Sequence, residues 1–197
     1  MAGITAVREA ILMTRSLMDA MAADTALCEA VAMAADSCVA ALRAGGKVMI
    51  CGNGGSAADA QHWAGELVSR FHYDRPGLAA VALTTDSSIL TAIGNDYGYE
   101  RVFSRQIEAI GVKGDVLFAL STSGNSPNVL AALEAAHGKG ISTVGFTGQG
   151  GGKMSELSDI CIRIPSSSTP RIQEGHEVLG HAICGMIEAA IFPRART

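Results

Sequence analysis

The sequence predicts a doubly wound α/β protein: a three-layer αβα sandwich around a five-stranded parallel sheet, led by an N-terminal helical hairpin. Three observations carry this. From Lys47 onward, short apolar runs alternate with amphipathic segments, as expected of parallel strands buried on both faces and of the helices crossing between them. Two of those runs pass directly into turns rich in Gly, Ser and Asn that open helices. Ahead of Lys47 lie two helical patterns rich in Ala and Met, with no strand pattern before them.

Taken in order, Ile4 to Met21 places Val7, Ile11, Leu12, Leu17, Met18 and Met21 at helical spacing. Asp24 or Thr25 caps a second helix, which runs to about Arg43 and stops at Gly45–Gly46. Strands are expected at Lys47–Cys51, Ala79–Leu83, Asp115–Ser121, Ser142–Thr147 and Ile160–Pro165. Helices are expected at Ser56–Phe71, Ser87–Ile93 with Glu100–Ile110, Pro127–Gly138, a short Lys153–Leu157, and Gln173–Phe192. Without an internal repeat or linker, residues 1–197 read as one domain. Residues 1–45 are expected to pack on it and on neighbouring subunits.

Composition narrows the function classes. Hydrophobic residues make up 48% and charged residues 17%, enough for a large core without staples, and aromatics are only 5%. A net charge of −4 argues against non-specific nucleic-acid binding. Five scattered cysteines with no CxxC pair read as buried thiols in a reducing cytoplasm. Arg8, Glu9, Arg15 and Asp19 interrupt Ala2–Met21, so neither a signal peptide nor a membrane span is expected there.

The chemistry is carried by loops after two strands, where open α/β sheets bind ligands. The first is Gly52–Asn53–Gly54–Gly55, with Ser56 opening the next helix. Its glycines permit close backbone approach, and the helix N-terminus suits an anion. The second is Ser121–Thr122–Ser123–Gly124–Asn125–Ser126, closed by Pro127 at a helix start. Four hydroxyls at a helix N-terminus, with no lysine, form a sugar-phosphate cradle and not a nucleotide P-loop. The helix after the first loop carries His62 and Glu66 four residues apart on one face.

The segments CGNGGSAADAQHWAGEL, IGNDYGYERVFSRQIEAIGVKGDVL, STSGNSPNVL and RIQEGHEVLGHAI resemble the sugar isomerase (SIS) domain family. Within it, they are similar to the phosphoheptose (sedoheptulose 7-phosphate) isomerases over nearly the whole chain. The resemblance implies the SIS fold and an aldose–ketose isomerisation of sedoheptulose 7-phosphate to D-glycero-D-manno-heptose 7-phosphate, an early step toward bacterial lipopolysaccharide or capsule heptose. It implies substrate contacts from Asn53, Gly54, Gly55, Glu66, Asn95, Asp96 and Gln173, with phosphate held by Ser121, Thr122, Ser123 and Ser126. It further implies zinc, one per subunit, on His62, Glu66, Gln173 and His181, and a catalytic pair of Glu66 and His181. A cytoplasmic homotetramer with sites between subunits is implied, with a small-molecule sugar phosphate as partner and no nucleic acid or membrane. Ser166–Pro170 lacks an acidic residue that some members place near the substrate.

The residue chemistry agrees with that reaction. Moving a proton between adjacent carbons needs groups that exchange protons near neutral pH, which a carboxylate and an imidazole supply. Stabilising the enediolate oxygen needs a metal or polar donors. Gln173 and His181 are eight positions apart, ~12 Å of helical rise and roughly 80° of rotation, so they converge more easily if Gln173 lies in an irregular first turn. His176 is expected in a structural or rim role, Trp63 in the core or an interface, and His72 and His137 at helix ends. Arg70 is a candidate charge contact to substrate. Two alternatives remain at this point. One is a non-catalytic SIS sugar-phosphate sensor or protein-binding factor, of the replication-initiation type. The other is an isomerase of another sugar phosphate. A purely regulatory member would not need His62, Glu66, Gln173 and His181 together.

Overall fold

The computed structural model describes residues 2–194. Five strands, β1 Val48–Gly52, β2 Ala80–Ala82, β3 Val116–Leu120, β4 Ser142–Gly148 and β5 Ile160–Ile164, form one sheet. Its order is β2-β1-β3-β4-β5, and every neighbouring pair is parallel. Around it lie α1 Ala2–Ala23, α2 Thr25–Arg43, α3 Gly55–Val68, α4 Ser87–Tyr97, α5 Ser104–Ile110, α6 Pro127–Gly138, α7 Met154–Leu157 and α8 Thr169–Ile191.

Strand periodicity divides the core into two halves. Val48, Ile50, Val116, Phe118, Leu120, Val144 and Phe146 face one side, packed against α1, α2, α3 and α8. Met49, Cys51, Leu117 and Ala119 face the other, packed against α5, α6 and α7. Two buried faces require three layers, as the near-continuous apolar strands predict. Helix α2 is long and apolar enough to cross a membrane by composition alone, but Leu27, Val31, Ala34, Ala35, Cys38, Val39 and Ala41 are buried in this core.

Local chemistry sets the element ends. Asp24 caps α2 by accepting from the Leu27 N–H at 3.0 Å, and Asp86 caps α4 through Ile89 N–H at 2.9 Å. The buried Asp115 carboxylate binds the Lys47 and Val112 N–H groups and the Lys47 ammonium, at 2.6–3.0 Å, tying the starts of β1 and β3 together. Beyond α3, the buried Glu188 carboxylate takes the Phe71 and His72 N–H groups at 2.9 and 2.7 Å, and Arg75 Nε at 3.0 Å. Burial alone would raise the Glu188 pKa, but these hydrogen bonds and the Arg75 charge outweigh it and hold the pKa below the usual range.

Three expected boundaries shift. α3 ends at Val68 and not Phe71, because the backbone N–H groups of Phe71 and His72 turn to Glu188. α4 continues to Tyr97, so Asn95 and Asp96 lie in a helical last turn; Gly98, at φ +88°, ends it, and a single 3-10 turn at Tyr99–Arg101 precedes α5. α8 begins at Thr169, with Pro170 in its first turn pre-setting the helical φ. Gln173 is therefore in regular helix, not in an irregular first turn.

Strand order reverses between β1 and β3, the switch point at which ligands bind in such sheets. The glycine turn after β1 and the serine loop after β3 are thus neighbours, although ~70 residues separate them in the chain.

Candidate active site

The two loops are joined by a reciprocal amide pair. Asn53 Nδ2 donates to Asn128 Oδ1 and Asn128 Nδ2 donates to Asn53 Oδ1, each at 2.8 Å. Asn53 also accepts from the Tyr99 hydroxyl at 3.4 Å. Gly54 adopts φ +57°, which a side chain would resist. In the serine loop, Ser121 Oγ lies 2.8 Å from Ser126 Oγ and 3.4 Å from Ser123 Oγ, so three hydroxyls converge at the N-terminus of the 12-residue α6. Ser126 is the N-cap residue, yet its side chain makes no capping bond. The hydroxyls beside the positive end of α6 suit an anion. Thr122 contributes backbone here, its carbonyl accepting from Gly148 N–H at 3.1 Å.

A second cluster sits where α3 and α8 pack side by side. Their register pairs Gly55 with Gln173, Trp63 with Gly180, and His62 with His181. Gln173 rests its amide on the Cα face of Gly55, where a Cβ would lie 2.2 Å from Nε2. About two helical turns further on, His62 Nε2 and His181 Nε2 approach to 2.8 Å. Glu66 Oε1 is 3.5 Å from His62 Nε2. The ligand atoms of His62, Glu66 and His181 all lie within 4.8 Å of one another. Phe71 backs the His181 ring, with centroids 5.4 Å apart. The His62 and His181 side chains are 46% and 40% exposed, so the cluster opens to the outside of this single chain.

Two further carboxylates belong to the cluster and were not in the sequence-derived set. Glu177 Oε1 lies 3.2 Å from His62 Nε2 and 3.1 Å from His181 Nε2, and its Oε2 accepts from Trp63 Nε1 at 2.9 Å. Asp59 stands one turn before His62, and its Oδ2 is buried without a partner. Burial pushes its pKa up to about 6, with the Glu177 charge adding and His62 opposing. The signals were spacing: Asp59, His62 and Glu66 at i, i+3 and i+7, and Gln173, Glu177 and His181 at i, i+4 and i+8.

The remaining candidates stand outside the hydrogen bonds just described. Asn95 and Asp96 are exposed and bond each other at 2.8 Å. Arg70 is exposed beyond the end of α3. His176 is buried and structural: Nε2 faces the Thr147 carbonyl at 3.3 Å, and burial lowers its pKa to about 4. His137, in the last turn of α6, pairs with Thr143 Oγ1 at 3.0 Å. Trp63 is fully buried in the core. The nearby Cys184 thiol is pushed up to about 12, first by burial and then by Glu66 and Glu177, so it offers no thiolate nucleophile.

The donor set fits a tetrahedral zinc. Zn–N bonds of ~2.0–2.1 Å place two ligand atoms roughly 3.3 Å apart. The 2.8 Å between the two imidazoles and the 3.5 Å from His62 to Glu66 bracket that spacing. A hydroxyl-lined helix start and an amide-lined glycine turn therefore meet at one end of the sheet, and an imidazole–carboxylate cluster lies about two helical turns further along α3 and α8. Such a set can hold a sugar phosphate by one end and move protons at the other.

The model of the SIS domain family matches residues 14–148. The phosphoheptose isomerase of Burkholderia pseudomallei is 60% identical over 189 residues, spanning 96% of each chain. The solved phosphoheptose isomerase of Neisseria gonorrhoeae superposes with a TM-score of 0.88 at 43% identity, covering 94% of this chain and 98% of that one. That of Francisella tularensis superposes with a TM-score of 0.90 at 37% identity, covering 95% and 98%.

Proposed function

The chain belongs to the SIS domain family and, within it, to the phosphoheptose isomerases, and from that premise we propose how its site isomerises sedoheptulose 7-phosphate to D-glycero-D-manno-heptose 7-phosphate. The observation that carries the reading is the convergence of Glu66, His62 and His181 on α3 and α8, with α3 opening at the glycine turn whose Asn53 is tied to Asn128 beside the serine loop.

The substrate phosphate is held by Ser121, Thr122, Ser123 and Ser126 with the N-terminus of α6, where the helix dipole and charge-assisted hydrogen bonds favour a dianion. Asn53, Gly54, Gly55 and Gln173 line the sugar chain, with Asn95 and Asp96 reaching its hydroxyls from the end of α4. Glu66 takes a proton from C1 of the ketose, giving an enediolate across C1 and C2. His181 returns a proton to C2 while the hydroxyl proton moves from O1 to O2, leaving the aldehyde at C1. The pKa of Asp59, near 6, lets that carboxyl exchange protons with the cluster near neutral pH.

His62, Glu66 and His181 would hold one zinc ion per subunit, with Gln173 the further member implied by resemblance. Bound there, zinc would supply Lewis-acid stabilisation of the developing oxyanion. The half-exposed cluster supports a site completed by a neighbouring subunit. So does α1, whose Ile4, Val7 and Ile11 are 62–70% exposed along one helical stripe. We read the assembly as a homotetramer in the bacterial cytoplasm, feeding heptose precursors for lipopolysaccharide or capsule.

The test is incubation of metal-replete protein with sedoheptulose 7-phosphate in deuterated water. Deuterium is expected at C2 of the aldose. Glu66→Gln and His181→Ala are expected to abolish turnover while sugar-phosphate binding persists. Absence of turnover by the unaltered protein refutes the reading, and near-normal activity in either variant refutes the assigned roles.

A further inference from the structure

We propose that Asn128 is a positioning residue for the sugar chain: through its amide pair with Asn53 it fixes the glycine turn against the helix that holds the phosphate. The inference rests on the reading that the serine loop takes the phosphate and that Asn53 lines the sugar. It goes beyond that reading by giving a role to a residue that belongs to neither binding group.

The glycine turn has little of its own to hold it. It runs Gly52, Asn53, Gly54, Gly55, and Asn53 supplies the one side chain among the four. Glycine leaves the backbone free to take many conformations, and Gly54 sits at φ +57°. The carbonyls of Asn53 and Gly54 accept from the Ser56 and Ala57 N–H groups at 3.0 Å, bonds that start α3 within the turn itself. Gln173 rests on Gly55 from the side of α8. Toward the serine loop, the tie is the Asn53 side chain.

Asn128 meets that side chain from α6. It is 3% exposed, and a buried amide must find partners. Asn53 supplies both, one as donor and one as acceptor, at 2.8 Å each. The Tyr99 hydroxyl donates to the same Asn53 Oδ1 at 3.4 Å. With Oδ1 taking two donors, Asn53 keeps one N–H of its Nδ2 to offer a substrate oxygen. Asn128 lies in the first turn of α6, two residues after Ser126. The turn that sets a hydroxyl beside the phosphate therefore also sets the amide that faces the sugar. An anchored phosphate enters with its carbon chain registered against Asn53, and so against α3, which this turn opens and on which Glu66 lies. Holding the two loops in that relation before substrate arrives removes an ordering cost from binding and from reaction.

The experiment compares two ligands on the full chain. Inorganic phosphate, as a competitive inhibitor, probes the serine loop alone, whereas sedoheptulose 7-phosphate engages both loops. Asn128→Leu keeps the size of the side chain and removes both amide bonds; Asn128→Ser carries the same comparison if the leucine variant fails to fold. The substitution is expected to lower kcat/KM about 10-fold, as a modest misplacement of bound substrate does, and to leave phosphate inhibition within about twofold. Equal weakening of phosphate and substrate means that α6 itself is disturbed, and overturns the proposal. A double-mutant cycle gives the second readout. In an Asn53→Ala background the loss from Asn128→Leu is expected to shrink to about twofold, because the two residues act as one unit. An undiminished loss there, or an unchanged kcat/KM in Asn128→Leu alone, overturns the proposal and leaves the isomerase reading standing. An Asn53→Ala protein with unaltered kcat/KM, or an unaltered protein that phosphate does not inhibit, overturns the reading of the two loops together with this proposal.

Discussion

Replacing Gly180 by alanine adds one methyl group at the point where α3 and α8 touch. A Cβ there would lie 2.0, 2.3 and 2.4 Å from three atoms of the Trp63 indole, whereas ordinary contact begins at 3.4 Å. Trp63 is packed against Phe118 and Phe146, so its ring has nowhere to go. The helices must part by about 1.4 Å, or the indole must leave its well; such overpacking costs about 1–3 kcal/mol. Alanine is the better helix former by about 1 kcal/mol, so a net loss of up to roughly 2 kcal/mol is expected. The larger effect is on catalysis. His62 and His181 flank this contact in sequence, and opening their 2.8 Å approach displaces the acid–base groups by about 1 Å, a shift that costs on the order of 100-fold in rate. The assay is kcat beside a urea denaturation midpoint, with Trp63→Leu added to make room. Gly180→Ala should lose about 100-fold in kcat, and the double variant should recover part of it. A Gly180→Ala protein with unchanged kcat and midpoint would refute the claim that this contact sets the cluster.

Two further outcomes follow from other parts of the molecule. Ser126→Ala should raise KM about 10-fold or more at nearly constant stability, because its hydroxyl makes no helix-capping bond and points to Ser121, so its loss is felt by the phosphate; steady-state kinetics and a melting curve check this. His176 is held neutral when folded, with its pKa lowered to about 4 by burial, while the unfolded imidazole takes its proton near 6.5. Its contribution to stability is therefore complete above about pH 6.5 and is lost as pH falls toward 4, by about 3 kcal/mol in all. Urea titrations across that range, compared with His176→Gln, isolate this slope.

How far the sequence carried the site differs from element to element. The serine loop was legible because its chemistry is contiguous: a short apolar run, four hydroxyls and Pro127 lie within a few residues of each other. His62 and Glu66 were legible for the same reason, four residues apart on one helix. Asn95 and Asp96 lie beyond the helix end expected at Ile93, but Asp86 caps a helix that runs through them to Tyr97. Glu177 was passed over although it stands four residues before His181. Its meaning comes from a tryptophan 114 positions away.

The layers, the parallel sheet and the two anion-binding turns follow from local pattern, because apolar period, glycine and proline act over a few residues. Which side chains share one point in space is set by packing between distant segments. That depends on the register of α3 against α8, set by how closely Trp63 approaches a residue with no side chain, and no local pattern encodes the distance between two helices. The same register draws Gln173 to the glycine turn, brings His62 to His181, and sets Glu177 between them.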